Sequence, residues 1–330
     1  MIGRNPYSPE GLAANGLATY GHPPTTVLWF LPFVQLPVHE LTLPLGIVTL
    51  LLLLLHTQIL SRELGFPLPI LSGVLAFAFM LSTAGMRSHL HAGQTSELMA
   101  FLYLLGWYLL RRRSDVAAGA VLGLACTIKL FPGLVVLFLA ARRRWDAVLA
   151  AGLTYLVCAM IVTFRFGIES WVQFFELQGP IADLWMGVSL NASIHGIVLR
   201  WFAPACGRAF GAPTTAATVL ALMLGAALLI GAWRVTRSLA IDYAFAFFSL
   251  LSVFVNPWVW EHYLVLYLLP FAVILAELRR LQISRLKLAS IGGVMAAWSE
   301  AESQGGWQPL WRIRRVAVPA ATGRRALPLG

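Results

Sequence analysis

RRRSDVAAGAVLGLACTIKLFPGLVVLFLAARRR, residues 111–144, is the stretch on which the architecture turns. Its apolar run from Val116 to Ala141 is longer than the about 20 residues that cross a bilayer. Lys129 and Pro132 interrupt the run, and an arginine triplet closes it at each end, Arg111 to Arg113 and Arg142 to Arg144. Short loops rich in arginine stay on the cytoplasmic side of a membrane. If both triplets stay there, the segment enters and returns as a helical hairpin with Lys129 at its turn. The alternative is one long kinked span, which strands one triplet on the far side. Gly119 and Gly123, four residues apart, are close-packing positions for a neighbouring helix. The glycine and Ser/Thr offsets do not match a phosphate-binding P-loop.

Composition extends this reading to the whole chain. Over 330 residues, 59% are hydrophobic and 12% charged, and the mean hydropathy is +0.76. A soluble domain carries roughly 25% charged residues, so that class is excluded, as is disorder. The three cysteines are far apart and form no disulfide framework; Cys126 and Cys158 sit in apolar runs as structural thiols. Further apolar runs are Leu41 to Leu60, Pro67 to Met86, Gln94 to Leu110, Ala147 to Phe164, Pro213 to Trp233, Ala240 to Val255 and Pro257 to Glu277. Pro24 to Leu36 is shorter and contains Pro32, which predicts a re-entrant or interfacial helix. The net charge of +10 comes in short clusters between apolar runs rather than along one amphipathic face, which argues for membrane loops and against nucleic acid. Lys129 and Lys287 are the only lysines, and the arginine excess is compositional rather than mechanistic.

The hairpin reading also fixes an orientation. It puts Arg62, both triplets, Arg234, Arg237, Arg279, Arg280, Arg285 and Lys287 on one side, and only Arg4, Arg87, Arg165, Arg200 and Arg208 on the other. His22, His39, His89, His91, His195 and His262 then fall at or near the non-cytoplasmic face, leaving His56 within a span. Asn5, Tyr7, Gln94, Glu97, Asp183, Asn191, Ser193 and Glu261 lie on the same side. No nucleotide pool exists there, so an enzyme working on that face draws activated groups from lipid-linked donors. In the long loop from Arg165 to Ala212, Trp171, Phe174, Phe175 and Trp185 are placed to lie at headgroup level, either as part of the chemistry or as a plain aromatic belt.

An ordered series of motifs resembles glycosyltransferase family 87. GRNPYSP (3–9) is similar to the family's G-x-x-P-Y loop, and GHPPTTVLWFLP (21–32) to its proline-rich re-entrant helix. HAGQTSELM (91–99) is similar to a G-Q-x-N helix start, with Ser96 and Glu97 near the usual Asn. AAGAVLGLACTIKLFPGL (117–134) is similar to its lysine-bearing hairpin, followed by the basic turn RRRWDA (142–147). NASIHGIVLR (191–200) resembles the N-x-S loop, and NPWVWEHYLVLYLLP (256–270) an S-P-x-x-W-x-H motif with Asn256 replacing Ser.

The resemblance implies an all-α, polytopic transmembrane bundle of GT-C type with re-entrant helices and an active-site cavity on the non-cytoplasmic face. Residues 1–287 form the membrane-embedded domain and 288–330 a basic tail. The implied activity is inverting transfer of a sugar, mannose before arabinofuranose, from polyprenyl phosphate to a lipid or glycan acceptor. No metal or cofactor is implied; the partners are the lipid-linked donor, the acceptor and membrane lipids. Family members carry an aspartate base in a loop preceded by a first helix, both upstream of the G-x-x-P-Y stretch. Here Met1 stands two residues before Gly3, which makes the expectation an N-terminally truncated chain. The base is then unassigned, with Glu97, Asp183 and Glu261 as substitutes. Lys129 and His262 are assigned to the departing phosphate, against the structural alternatives of a snorkelling lysine and a helix-capping histidine. Gln94, Asn191 and Ser193 would hold sugar hydroxyls, and Asn5 and Tyr7 would line the mouth. The competing readings are an inactive remnant of the family, and a transporter or metal-handling protein ligating through His89, His91, His195 and His262.

Overall fold

Prolines and arginine turns become helix ends in the computed structural model, which describes residues 22–33, 38–66, 69–83, 86, 94–186, 188, 191–202 and 215–281. The chain divides into two units, Met1–Ile283 and Ser284–Gly330, and every described element belongs to the first. Twelve α-helices are described. A short rod opens with the 3-10 turn η1 (Pro24–Thr26), continues as α1 (Val27–Phe30) and ends in η2 (Leu31–Phe33). Then come α2 (Val38–Glu63), α3 (Pro69–Ser82), α4 (Ser96–Arg111), α5 (Asp115–Ile128), α6 (Gly133–Ala141) and α7 (Trp145–Phe166). The second half holds α8 (Glu169–Trp185), α9 (Ile194–Phe202), α10 (Thr215–Thr236), α11 (Ile241–Val255), the 3-10 helix η3 (Glu261–Tyr267) and α12 (Leu268–Arg280).

Among the described residues, four segments are long and apolar enough to cross a membrane: Leu43–Glu63, Trp145–Phe166, Thr215–Thr236 and the joined Glu261–Arg280. The expected spans at Pro67 to Met86, Gln94 to Leu110 and Ala240 to Val255 are helices of 14, 16 and 15 residues. The apolar run from Pro257 to Glu277 is met by the joined Glu261–Arg280, which is long and apolar enough to cross a membrane but is not one α-helix. Residues 256–260 are non-helical, 261–267 wind as a 3-10 helix, and the α-helix begins only at Leu268. Pro270 fits there because a proline in the first helical turn withholds an N–H that has no intrahelical acceptor.

The decisive stretch folds back on itself. Both triplets use one device to end a helix and begin the next. Arg113 (φ 59°) and Arg143 (φ 58°) adopt the left-handed conformation. The N–H of Arg113 donates to Leu110 and that of Ser114 to Leu109, while Arg143 donates to Ala140 and Arg144 to Leu139. This is the helix-terminating pattern that satisfies the last carbonyls, with arginine at a position glycine usually takes. Arg144 Nη1 bonds Asp115 Oδ1 at 2.6 Å, so the second triplet lies beside the start of α5. Both triplets are therefore at the same end, as the hairpin reading requires. The other basic loops join them: Arg111 bonds Asp242 at 2.8 Å and Arg112 bonds Glu63 at 2.7 Å. Arg142 donates to the carbonyls of Thr236, Arg237 and Leu239, and Arg279 to that of Gly65.

Small residues set the closest packing. A Cβ on Gly119 would stand 2.0 Å from the Ala147 carbonyl oxygen, and one on Gly123 would stand 2.5 Å from that of Ala151. The matching register, Gly119 on Ala147 and Gly123 on Ala151, makes α5 and α7 parallel neighbours with small residues on both faces. Leu149, Leu153, Leu156, Met160 and Phe164 on α7 are exposed, the stripe such a helix would turn to lipid. The core between the shorter helices is built on Tyr103, Trp107, Phe138 and Phe245, all buried.

Candidate active site

The hairpin tip is a helix end that the N-terminal rod completes. α5 stops because Lys129 is extended (φ −148°, ψ 150°) and Phe131 precedes a proline, which disfavours helical backbone. Its last carbonyls are taken by hydroxyls. Thr25 Oγ1 donates to the Thr127 carbonyl at 2.8 Å and Thr26 Oγ1 to that of Ile128 at 2.8 Å. Trp29 Nε1 donates to Thr127 Oγ1 at 2.8 Å. A cation at this end is further favoured by the negative pole of α5.

Lys129 is that cation, and it is 7% exposed rather than snorkelling to the surface. Its Nζ donates to Tyr263 Oη and lies 4.0 Å from the centroid of the Tyr263 ring. Phe131 meets the same ring edge-on at 5.8 Å, and the His262 ring lies 4.7 Å from it. His22 stands close enough that the Lys129 ammonium, after burial itself, lowers its pKa. The site thus joins Lys129 and His262 through Tyr263. Among the described residues no carboxylate forms an ion pair with Lys129. A buried cation without a counter-charge is costly, and an anionic ligand removes the cost.

Asn191 and Ser193 form a second, structural cluster. Asn191 Nδ2 donates to the carbonyls of Met186 at 2.9 Å and Pro257 at 2.8 Å, while its Oδ1 accepts from the N–H of Ser193 at 3.1 Å and of Val259 at 3.0 Å. Both donors and both acceptor positions of the amide are used, so in this arrangement Asn191 has nothing left for a sugar hydroxyl. Ser193 donates to Pro257 and caps α9 by accepting from the N–H of Gly196 at 3.0 Å. Arg200 adds bonds to the carbonyls of Val188 and Asn191. Together they pin this loop to residues 257–259, the lead-in to His262. His195, also buried, has its pKa lowered by desolvation, and its Nδ1 has no partner among the described residues.

The model of glycosyltransferase family 87 matches residues 20–257. The chain belongs to that family. Its members are membrane glycosyltransferases, and the helical bundle with its spans accords with their GT-C fold. No curated protein and no solved structure matches the chain. The matched region of the family 87 chain takes in the hairpin and the N-x-S loop, begins after GRNPYSP and ends just before the Trp258 to His262 stretch.

The remaining expected site residues are spread out. Gln94 is half-buried just ahead of α4, and Glu97 in the first turn of α4 is fully buried with Oε1 3.4 Å from His56 Nδ1. Glu261 opens η3 and is half-buried. Asp183 is on α8, its side chain outside the described residues, as are Asn5, Tyr7, His89 and His91 altogether. Among the described residues no three His, Cys, Asp or Glu side chains gather around one point. On the aromatic helix, Phe174 is buried, Phe175 is exposed, Trp171 Nε1 donates to Thr163, and the side chain of Trp185 is outside the described residues. Sequence reasoning missed Tyr263 as the partner of Lys129 and the Thr25–Thr26 cap. The signals were there in EHY and PPTT, but neither carries a spacing that names its partner.

Proposed function

We propose that this chain transfers a sugar, mannose before arabinofuranose, from a polyprenyl-phosphate donor to a lipid or glycan acceptor at the non-cytoplasmic face of the membrane, with inversion. The observation that carries the reading is Lys129: a buried amine at the tip of the hairpin, held by Tyr263 and paired with no carboxylate among the described residues. In the transfer, the acceptor oxygen attacks the anomeric carbon through an oxocarbenium-like state and polyprenyl phosphate departs. The phosphate gains negative charge as the bond breaks. A preorganised cation beside it stabilises that change most where water is excluded. Lys129 supplies the charge, Tyr263 fixes its position, and His262 lies against Tyr263. Gathering of the basic loops at one end supports the orientation through the positive-inside rule.

The test uses the full chain in nanodiscs with polyprenyl-phosphate-[14C]mannose and, in parallel, the arabinofuranose donor, with extracted membrane glycolipids as acceptor. Release of polyprenyl phosphate with labelled product is expected from the wild type. Lys129→Met is expected to lower kcat/KM by about 10²–10³, equivalent to about 3–4 kcal/mol. Unchanged turnover in that variant would refute the assignment of Lys129.

A further inference from the structure

At the arginine-rich end of the bundle, the ends of α2 and α12 and the start of α11 border a cleft of about 460 Å³, within the roughly 300–1,000 Å³ of small-ligand sites. Two candidate spans stop on its walls, Leu43–Glu63 at Glu63 and Glu261–Arg280 at Arg280. The cleft therefore lies where helices leave the hydrocarbon for the headgroups. Lys129 is at the other end of α5, on the order of 20 Å away at 1.5 Å per residue, so the cleft is separate from the proposed active site.

The lining changes character along one face of α12. Val273 and Ala276 form its inner end, and Glu277 and Arg280 follow at helical spacing, with Arg279 beside them. An apolar floor under a charged rim fits an amphipathic ligand. The rim carries both signs, because Glu63 of α2 and Asp242 of α11 add carboxylates to the guanidiniums of α12. Arg111 bonds both of these carboxylates and Arg112 bonds Glu63, so their positions are fixed before any ligand arrives. Arg280, 71% exposed, spends Nε and Nη2 on Glu277, and Arg279 spends Nη1 on the Gly65 carbonyl. Each guanidinium keeps further N–H groups for a ligand.

We propose that this cleft holds the headgroup of a zwitterionic membrane phospholipid with a primary ammonium, of the phosphatidylethanolamine kind. Its phosphate accepts from the remaining N–H groups of Arg279 and Arg280. Its ammonium donates to Glu63 and Asp242, and the first carbons of its chains lie on Val273 and Ala276. Charge and hydrogen bonding select among lipids. A headgroup with negative charge alone meets the carboxylates of Glu63, Asp242 and Glu277, and a choline headgroup has no N–H to give them. Because the cleft is built from three helices, a lipid bound there ties their ends together and stabilises the folded chain.

The experiment takes the full chain, delipidated in detergent, and adds phosphatidylethanolamine, phosphatidylcholine or phosphatidylglycerol. Retained lipid is read by native mass spectrometry and stability by melting temperature. One tightly held phosphatidylethanolamine is expected, with a melting temperature raised by that lipid alone. Arg280→Gln should weaken its retention about tenfold by removing a charged phosphate contact. Ala276→Leu, which fills the floor of the cleft, should abolish the rise in melting temperature. Equal retention of the three lipids marks a nonspecific annulus and overturns the proposal, as does a preference for phosphatidylglycerol or phosphatidylcholine. A phosphatidylethanolamine preference that survives both substitutions places the lipid elsewhere and overturns it too. Should one variant fail to fold, the other decides, and the lipid series itself needs only the wild type. Neither readout depends on sugar transfer, so failure here leaves the transferase reading standing, and an inactive chain tests the cleft equally well.

Discussion

At the residue scale, Lys129 and Asn191 show how burial separates two polar residues that look equally functional in sequence. Lys129 is buried with no carboxylate paired to it among the described residues, whereas Asn191 spends all its hydrogen bonds on the backbone of two loops. Asn191→Ala leaves the Met186 carbonyl and the Ser193 and Val259 N–H groups short of a partner, while the Pro257 carbonyl keeps the Ser193 hydroxyl. With each buried bond worth about 1 kcal/mol net, the variant should lose about 3 kcal/mol in denaturant unfolding of the detergent-solubilised chain. A residue that instead held sugar would show a raised KM with unchanged stability. The sequence could nominate Asn191 from its N-x-S setting, but it could not show that the amide's partners are Pro257 and Val259, far along the chain.

At the element scale, the α5–α6 hairpin depends on backbone contact that only glycine permits. With Ala147 and Ala151 carbonyls where side chains would go, any Cβ at Gly119 or Gly123 forces α5 away from α7. Gly119→Val should therefore destabilise the fold by about 1–3 kcal/mol, read as a lowered melting temperature, because overpacking moves backbone rather than a flexible side chain. Gly152→Val, where nothing lies within 4 Å of the added Cβ, is the control and should melt near wild type. The four-residue glycine spacing was legible as a packing face. Its partner was not, since the alanines of α7 are ordinary helix formers in sequence.

At the scale of the whole molecule, the prediction concerns which ends of helices share a side. In a background with Cys126, Cys158 and Cys206 replaced by serine, single cysteines at Arg113, Arg143 and Arg237 should react with a membrane-impermeant maleimide from one side. A cysteine at Glu176 on α8 should react from the other, because α7 is 22 residues long and α8 follows its far end. Labelling of Arg113 and Arg143 from opposite sides would restore the single kinked span. The hydropathy runs placed the long helices within a few residues, Pro257 to Glu277 among them, but they did not show that this one is wound in two helix types. Hydropathy registers apolar content, and the change from 3-10 to α-helix there is a matter of backbone hydrogen bonding.

What the sequence alone determined was the membrane-protein class, the helix boundaries marked by arginine and several prolines, and the choice between a hairpin and one kinked span, which the Arg144–Asp115 contact settles for the hairpin. Each rests on local chemistry: apolar length, the interruption of a helix by proline, and the cost of moving arginine through lipid. The family, too, is written in local motifs, and the match over residues 20–257 reflects that. Only the tertiary structure decided that Lys129 is buried against Tyr263, that Thr25 and Thr26 cap the hairpin, and that Glu97 meets His56. Those pairings join positions far apart in the chain. They follow from how helices pack, because side chains meet by register between helices and not by distance along one.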